Sequence, residues 1–500
     1  MPRASEQIDD RTPLSAARID VTARLGWMLR VHRTAAGLSL RQMSAALGEH
    51  GVTLSPATLS RAESEGQRSP QVLDGYGRVL GLPEGALRAQ VDAVCRAFAY
   101  APPRPPEQAA RDLAEYSRSC DAVLVPSPTA SAWLAFARQH ALSRGFGLPT
   151  AAMEPLVHRL TGEVGRGVAG ARLTRHEAIN ILLESPYSLL VTDVLRSAVD
   201  DREHQNFYDL TSVLSDHPTD ELVLWAGGLL SSPSIFQVRG AAYALQGMFV
   251  SGSRRVSDWR PLVPLLERAW SRADADAARI AILTQVCRTL PTDVRPELRD
   301  AGVAAPTALQ PPVTWSRTRS NVHFRFAASV ARTACVALGH PEEPLLERLL
   351  FEAFFEPRGV RMSTSTWLLM ASPFSGALVR AIFDVRDDCP DPASRAAALR
   401  VAAVCHAGED LPEVESLLEN RHPGDFAQAT AMIGRAGQSL PDQVLARGLA
   451  GDETTVRQTL YCLGMAGDSR LVEITQHETL PATTRRAARW WIEQGSRILV

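Results

Sequence analysis

The chain has 500 residues, with 53 basic side chains against 55 Asp and Glu and a formal net charge of −2; every basic residue is an arginine. Without lysine it lacks the P-loop lysine, the Schiff-base amine and the strand lysine of protein kinases. Arginine keeps phosphate and guanine recognition available, because its planar fork binds both bidentately.

An apolar share of 45% is that of a globular protein and too high for a disordered chain. The length predicts two to four domains, or one small domain followed by a long array. Residues 1–10 lack the apolar stretch of a signal peptide, and no apolar run approaches the ~18 residues of a membrane span. The expected setting is the cytoplasm, with no membrane partner. Seven dispersed cysteines (Cys95, Cys120, Cys287, Cys335, Cys389, Cys405, Cys462) read as thiols in a reducing compartment.

Residues 1–20 read as a flexible N-terminal arm. Five helices are then expected within 21–100. The first runs near Val21–Ala35, with Leu25, Met28 and Leu29 at core spacing. The second begins at the N-cap Ser39 and carries Leu40, Met43 and Leu47 on one face. The third opens with Ser55-Pro56, a capping serine before a first-turn proline. Leu59 and Ala62 face inward there, leaving Ala57, Thr58, Ser60 and Arg61 outward. The fourth follows Ser69-Pro70, and the fifth runs from about Pro83 to Phe98. Within 21–68 there are 6 arginines and 3 acids, a mild basic excess.

The ordered combination Leu29-Arg30-x-x-Arg33, Gly37-Leu38-Ser39-Leu40-Arg41-Gln42-Met43, Thr58-Leu59-Ser60-Arg61-Ala62-Glu63 and Gly66-Gln67-Arg68-Ser69-Pro70 resembles the helix-turn-helix domain of xenobiotic-response-element (lambda-repressor-like) regulators. The match covers about residues 21–82. It implies a five-helix fold whose third helix enters the major groove of double-stranded DNA. Carried over, the resemblance assigns Ser55, Pro56, Ala57, Thr58, Ser60 and Arg61 to the reading helix. Arg61 is the expected base reader, since a guanidinium can bond guanine O6 and N7 together; the alternative is a surface arginine paired with Glu63 or Glu65. Ala57 and Thr58 suit a thymine methyl, and Arg41, Gln42 and Arg68 suit phosphates. Pro56-Ala57 replaces the glutamine pair of many members, and the turn Gly48–Leu54 is longer than usual, which leaves the docking angle open.

Beyond the hinge Ala101-Pro-Pro-Arg-Pro-Pro106, the chain is rich in Ala, Leu and Arg with helical periodicity. Residues 107–389 read as a helical region, with Val238–Leu245 and Ala278–Leu283 as degenerate repeat copies. In 390–500, Gly408, Gly437, Gly467 and Gly495 each end an Ala-rich amphipathic stretch at intervals of 29, 30 and 28 residues. A two-helix unit near that length buries its apolar face only by stacking on neighbours. These copies resemble HEAT-type repeats and imply a curved solenoid. The expected fold is all-α: a five-helix helix-turn-helix domain followed by a HEAT-like solenoid.

Little else suggests chemistry. Gly165-Arg-Gly167-Val-Ala-Gly170 fits a dinucleotide fingerprint in letters, but helical sequence precedes it where a strand is required, so it reads as a flexible loop. Trp490-Trp491 beside Arg485, Arg486 and Arg489 reads as the cap of the last repeat's core rather than a base-stacking platform. No metal site, cofactor site or catalytic constellation is expected. The expected function is a non-enzymatic, sequence-specific DNA-binding transcriptional regulator, acting as a homodimer. Its repeats would bind a protein, peptide or small-molecule effector. The alternatives are a DNA-tethered interaction scaffold and, on fold analogy alone, a HEAT-like DNA glycosylase.

Overall fold

A computed structural model describes residues 8–14, 16, 18–66, 68–100, 113–142, 147–252, 256, 258–273, 276–290, 294, 316–318, 320–356, 358–408, 411, 413–419 and 423–499. Among them the regular structure is helical throughout, with no β-strand beyond one isolated bridge. The expected hinge 101–106 lies outside the described residues.

Five helices open the chain: α1 (Val21–Ala35), α2 (Leu40–Glu49), α3 (Pro56–Glu65), α4 (Pro70–Val79) and α5 (Ala86–Ala97). Their starts follow local chemistry. Asp20 and Ser55 accept from backbone N–H groups of the first turn, and Ser39 with Gln42 forms a reciprocal capping box.

Next come α6 (Leu113–Leu124), α7 (Ala130–Leu142), α8 (Thr150–Val164), α9 (Gly170–Leu183), α10 (Ser188–Asp200), α11 (Phe207–Ser215), α12 (Asp220–Leu229), α13 (Ile235–Gly252), α14 (Val263–Ala273) and α15 (Ala277–Thr289). The odd-numbered members from α7 to α15 stack in sequence as one row. The stretches read as degenerate repeat copies lie in α13 and α15, neighbours in that row. A third group holds α16 (Val322–Ala337), α17 (Pro344–Phe355), α18 (Gly359–Ala371) and α19 (Ser375–Val385). No single described helix is long and apolar enough to cross a membrane; α18 and the segment Ser375–Asp388 reach that length and composition only as a pair bent by 111°.

The last group shows the repeat most plainly. Long helices α20 (Pro392–Cys405), α22 (Pro423–Ala436), α24 (Glu453–Ala466) and α26 (Ala482–Gln494) stack one on the next. Short helices α21 (Glu413–Glu419), α23 (Asp442–Leu449) and α25 (Arg470–Gln476) fall between them. The four periodic glycines follow the long helices with φ of +116°, +70°, +69° and +89°. A side chain is strained in that region, so glycine recurs where each helix must stop and turn.

The array curls back on itself. Arg457 of α24 donates to the His204 carbonyl at 2.5 Å and lies over the Phe207 and Phe236 rings. Trp490 and Trp491 are buried and meet each other, His204 and Tyr461 as edge-to-face rings, so they fill the last repeat's core. The glycine-rich loop 165–169 follows helix α8 as expected, but it is not free. Val168 N–H donates to the Ile498 carbonyl at 3.0 Å, and Ile498 N–H to the Arg166 carbonyl at 2.9 Å.

The described part of the first twenty residues is tied to the helices. Asp10 is buried and pairs with Arg24, while Arg317 binds Asp9. Carbonyls of Thr12, Leu14 and Ala16 accept from Arg348, Arg358 and Arg361. Arginines on α17, on α18 and at the N-cap of α18 thus satisfy backbone carbonyls of an otherwise irregular segment and hold it in place.

The first five helices share a hydrophobic core with α16–α22. Trp27 of α1 stacks on Phe374 with ring centroids 6.3 Å apart. Arg24 reaches Glu352 and Arg30 reaches Glu343, both as buried pairs, and Arg96 of α5 binds Glu177 of α9.

Candidate nucleic-acid interface

The surface of interest is built from α2, α3 and the six residues between them. The connection is fixed by three contacts: Val52 N–H and His50 N–H donate to the Leu47 carbonyl at 2.9 and 3.0 Å, and the Ser44 hydroxyl donates to the Leu54 carbonyl at 2.5 Å. Gly51 sits at φ +76°, which lets the chain reverse there.

Helix α3 is anchored from below. Leu59, Ala62 and Glu63 are buried. Arg33 of α1 grips Glu63 bidentately at 2.6 and 2.7 Å, and the Tyr76 hydroxyl of α4 donates to the same carboxylate at 3.0 Å. Burial alone would lower the Arg33 pKa, but Glu63 holds it above its ordinary value. Burial and the Glu63 carboxylate push the Tyr76 phenol up, so it stays a donor. One carboxylate therefore locks three helices. The approach of α1 to α3 is equally tight: a Cβ on Gly26 would lie 2.2 Å from the Glu63 carbonyl oxygen.

With that stripe held inward, the opposite face must be open. Ala57, Ser60, Arg61 and Ser64 are exposed and fall on one side at 100° per residue. Ser55, Pro56 and Thr58 are exposed at the N-terminal end. Ser55 Oγ accepts from Thr58 N–H at 3.1 Å and meets Thr58 Oγ1 at 2.9 Å, so both hydroxyls serve the cap. On α2, Arg41 and Gln42 are exposed, with Gln42 Oε1 accepting from Ser39 N–H at 2.9 Å. Arg68 stands apart: its Nε donates to Asp92 of α5 at 2.9 Å.

The arginine count over 21–68 thus splits in two. Arg24, Arg30, Arg33 and Arg68 all face carboxylates at 2.9 Å or closer. Arg41 and Arg61 are the two exposed ones, and neither has a carboxylate partner among the described residues. The alternative pairing of Arg61 with Glu63 is closed off, because Arg33 occupies that carboxylate.

Glu63 and Arg33 are the residues that a search for exposed readers passes over. Their signal is in the sequence: Leu59, Ala62 and Glu63 stand at i, i+3 and i+4, so a carboxylate lies on the inward stripe and calls for a cation. No protein-family model and no curated protein matches this chain.

Proposed function

We propose that the chain is a sequence-specific regulator that binds double-stranded DNA, with α2 and α3 as a helix-turn-helix and α3 in the major groove. One observation carries the reading: α3 presents an exposed face with an arginine that no carboxylate engages among the described residues, above an underside bolted to α1 and α4. Reading bases needs a rigid, prepositioned helix of this kind.

In this arrangement Arg61 reads a base, Ala57 and Ser60 line the groove beside it, and Arg41 meets a phosphate. The open N-terminal turn of α3, where Ser55, Pro56 and Thr58 lie, suits a second phosphate through the helix dipole. Arg68 takes no part, because Asp92 holds it. Two surface arginines give one protomer little electrostatic affinity, so two copies on a two-fold site supply the rest.

The test is to select a binding site from randomised duplexes and measure affinity by fluorescence anisotropy. Arg61→Ala should cost about 1–3 kcal/mol on the selected site and relax preference at one base pair. Arg41→Ala should weaken all duplexes alike. Failure to enrich any sequence would refute the reading.

A further inference from the structure

A cavity of about 860 Å³ lies inside the curl of the array, within the range of about 300–1,000 Å³ typical of small-molecule sites. Helices α9, α11, α13 and α15 contribute one part of its lining, and α17, α18, α20, α22, α24 and α26 the other. Its lining includes Tyr208 and Tyr243, with ring centroids 4.4 Å apart, and Trp367, Tyr461 and Trp491.

Its charges do not balance internally. Four arginines and two acids line it. Asp209 is taken by Arg172, and Glu356 by Arg358 at 2.7 Å from outside the lining. Arg239, Arg400 and Arg435 are left with no carboxylate partner among the described residues; Arg400 donates to the Ala353 carbonyl and the Met362 sulfur, and Arg435 to the Ala403 carbonyl and the Tyr461 hydroxyl. Surrounding protein lowers the Arg400 pKa by desolvation, although the side chain keeps solvent access through the mouth. Gln205 Oε1 and Asn206 Nδ2, also on the lining residues, have no hydrogen-bond partner among the described residues.

We propose that this cavity binds a small organic anion with an aromatic body, its acid group held by Arg239 and Arg400 and its rings packed on Tyr208, Tyr243 and Trp367. Planar guanidiniums suit a carboxylate, sulfonate or phosphate, and aromatic walls suit a flat apolar body.

The same helices reach the N-terminal domain. On α18, Met362, Ser363, Thr366 and Trp367 line the cavity. From the other side of that helix Ser365 bonds Arg24 of α1 at 3.0 Å, Arg361 bonds the carbonyls of residues 14 and 16, and the Ala371 carbonyl accepts from His32 at 3.1 Å. A ligand that moves α18 therefore moves α1, to which α3 is bolted through Glu63. This regulatory use rests on the DNA-binding reading; the ligand site does not.

The probe is 8-anilinonaphthalene-1-sulfonate, titrated by fluorescence into the full chain, with uncharged N-phenyl-1-naphthylamine beside it. The expected result is one saturable site for the anion, with the neutral dye at least ten times weaker. Arg239→Ala and Arg400→Ala should each weaken the anion at least fivefold with an unchanged melting temperature. Arg332→Ala, on a surface pair with Glu342, should bind as wild type does. Absent binding, equal affinity for the neutral dye, or wild-type affinity for the anion in both cavity variants would overturn the site. If the anion binds as expected but no duplex is ever bound, the DNA reading fails and the site stands. DNA binding without dye binding is the reverse.

Discussion

Glu352 sits among Arg24, Arg348 and Arg361, all buried, and also accepts from Ser365 Oγ at 2.7 Å. Burial would raise its pKa, but the three guanidiniums hold it at about 2. Glu352→Gln removes the carboxylate that Arg24, Arg348 and Arg361 share, leaving Arg24 only the Asp10 carboxylate, and should cost about 3–5 kcal/mol near neutrality. Its folded pKa lies below the ordinary carboxylate value, so this stabilisation is complete above about 4.5 and is lost as pH falls towards 2. Urea midpoints of wild type and Glu352→Gln should converge below pH 4.5; a gap that stays constant to pH 3 would show that the charge is not what stabilises. Buried histidines act earlier in an acid titration. Burial lowers His32 to about 4, and His176 and His204 to about 3. Between about 6.5 and those values the unfolded chain binds protons that the folded chain refuses, so stability should decline from pH 6.5 downwards. His32→Gln, which keeps a donor for the Ala371 carbonyl, should flatten part of that slope in the same urea series.

At the scale of elements, α3 owes its placement to Gly26 as much as to the ion pair below it. Gly26→Ala places a methyl 2.2 Å from the Glu63 carbonyl oxygen, so α1 and α3 must separate. The expected cost is about 1–3 kcal/mol, read as a lower melting temperature, with loss of affinity for any selected duplex. Gly77→Ala, in the helix next door and with open space around it, should leave duplex affinity unchanged. Most of these elements were legible from sequence. Ser39, Ser55-Pro56 and Ser69-Pro70 mark helix starts because caps and first-turn prolines act locally, and α1 spans Val21–Ala35 as its periodicity implies. The periodic glycines work in the same way, since a positive φ is a local demand. The fixed loop at 165–169 was not legible, because its partners lie some 330 residues away at 496–498.

For the whole molecule, the boundary near residue 100 is not a boundary in packing. Trp27 lies fully buried against Phe374, and Arg24 and Arg30 find carboxylates on or beside α17. Residues 21–100 should therefore unfold together with α16–α19 in one calorimetric transition. A fragment of residues 18–100 exposes that interface, and at roughly 4–8 °C per kcal/mol for a domain of this size it should melt far below that transition. Equal melting temperatures would show an independent domain. The sequence by itself determined the all-helical class, the helix starts, the repeat of nearly thirty residues and the outward residues of α3. All of these follow from caps, periodicity and backbone preference, which act over a few residues. Tertiary structure alone decided which arginines remain available. Six stand within 21–68, and four are consumed by carboxylates, two of them some 300 residues downstream. It alone brought Arg239 and Arg400, some 160 residues apart in the chain, to one cavity. A charge count sums over the chain, whereas an ion pair depends on which distant side chain folding sets beside it.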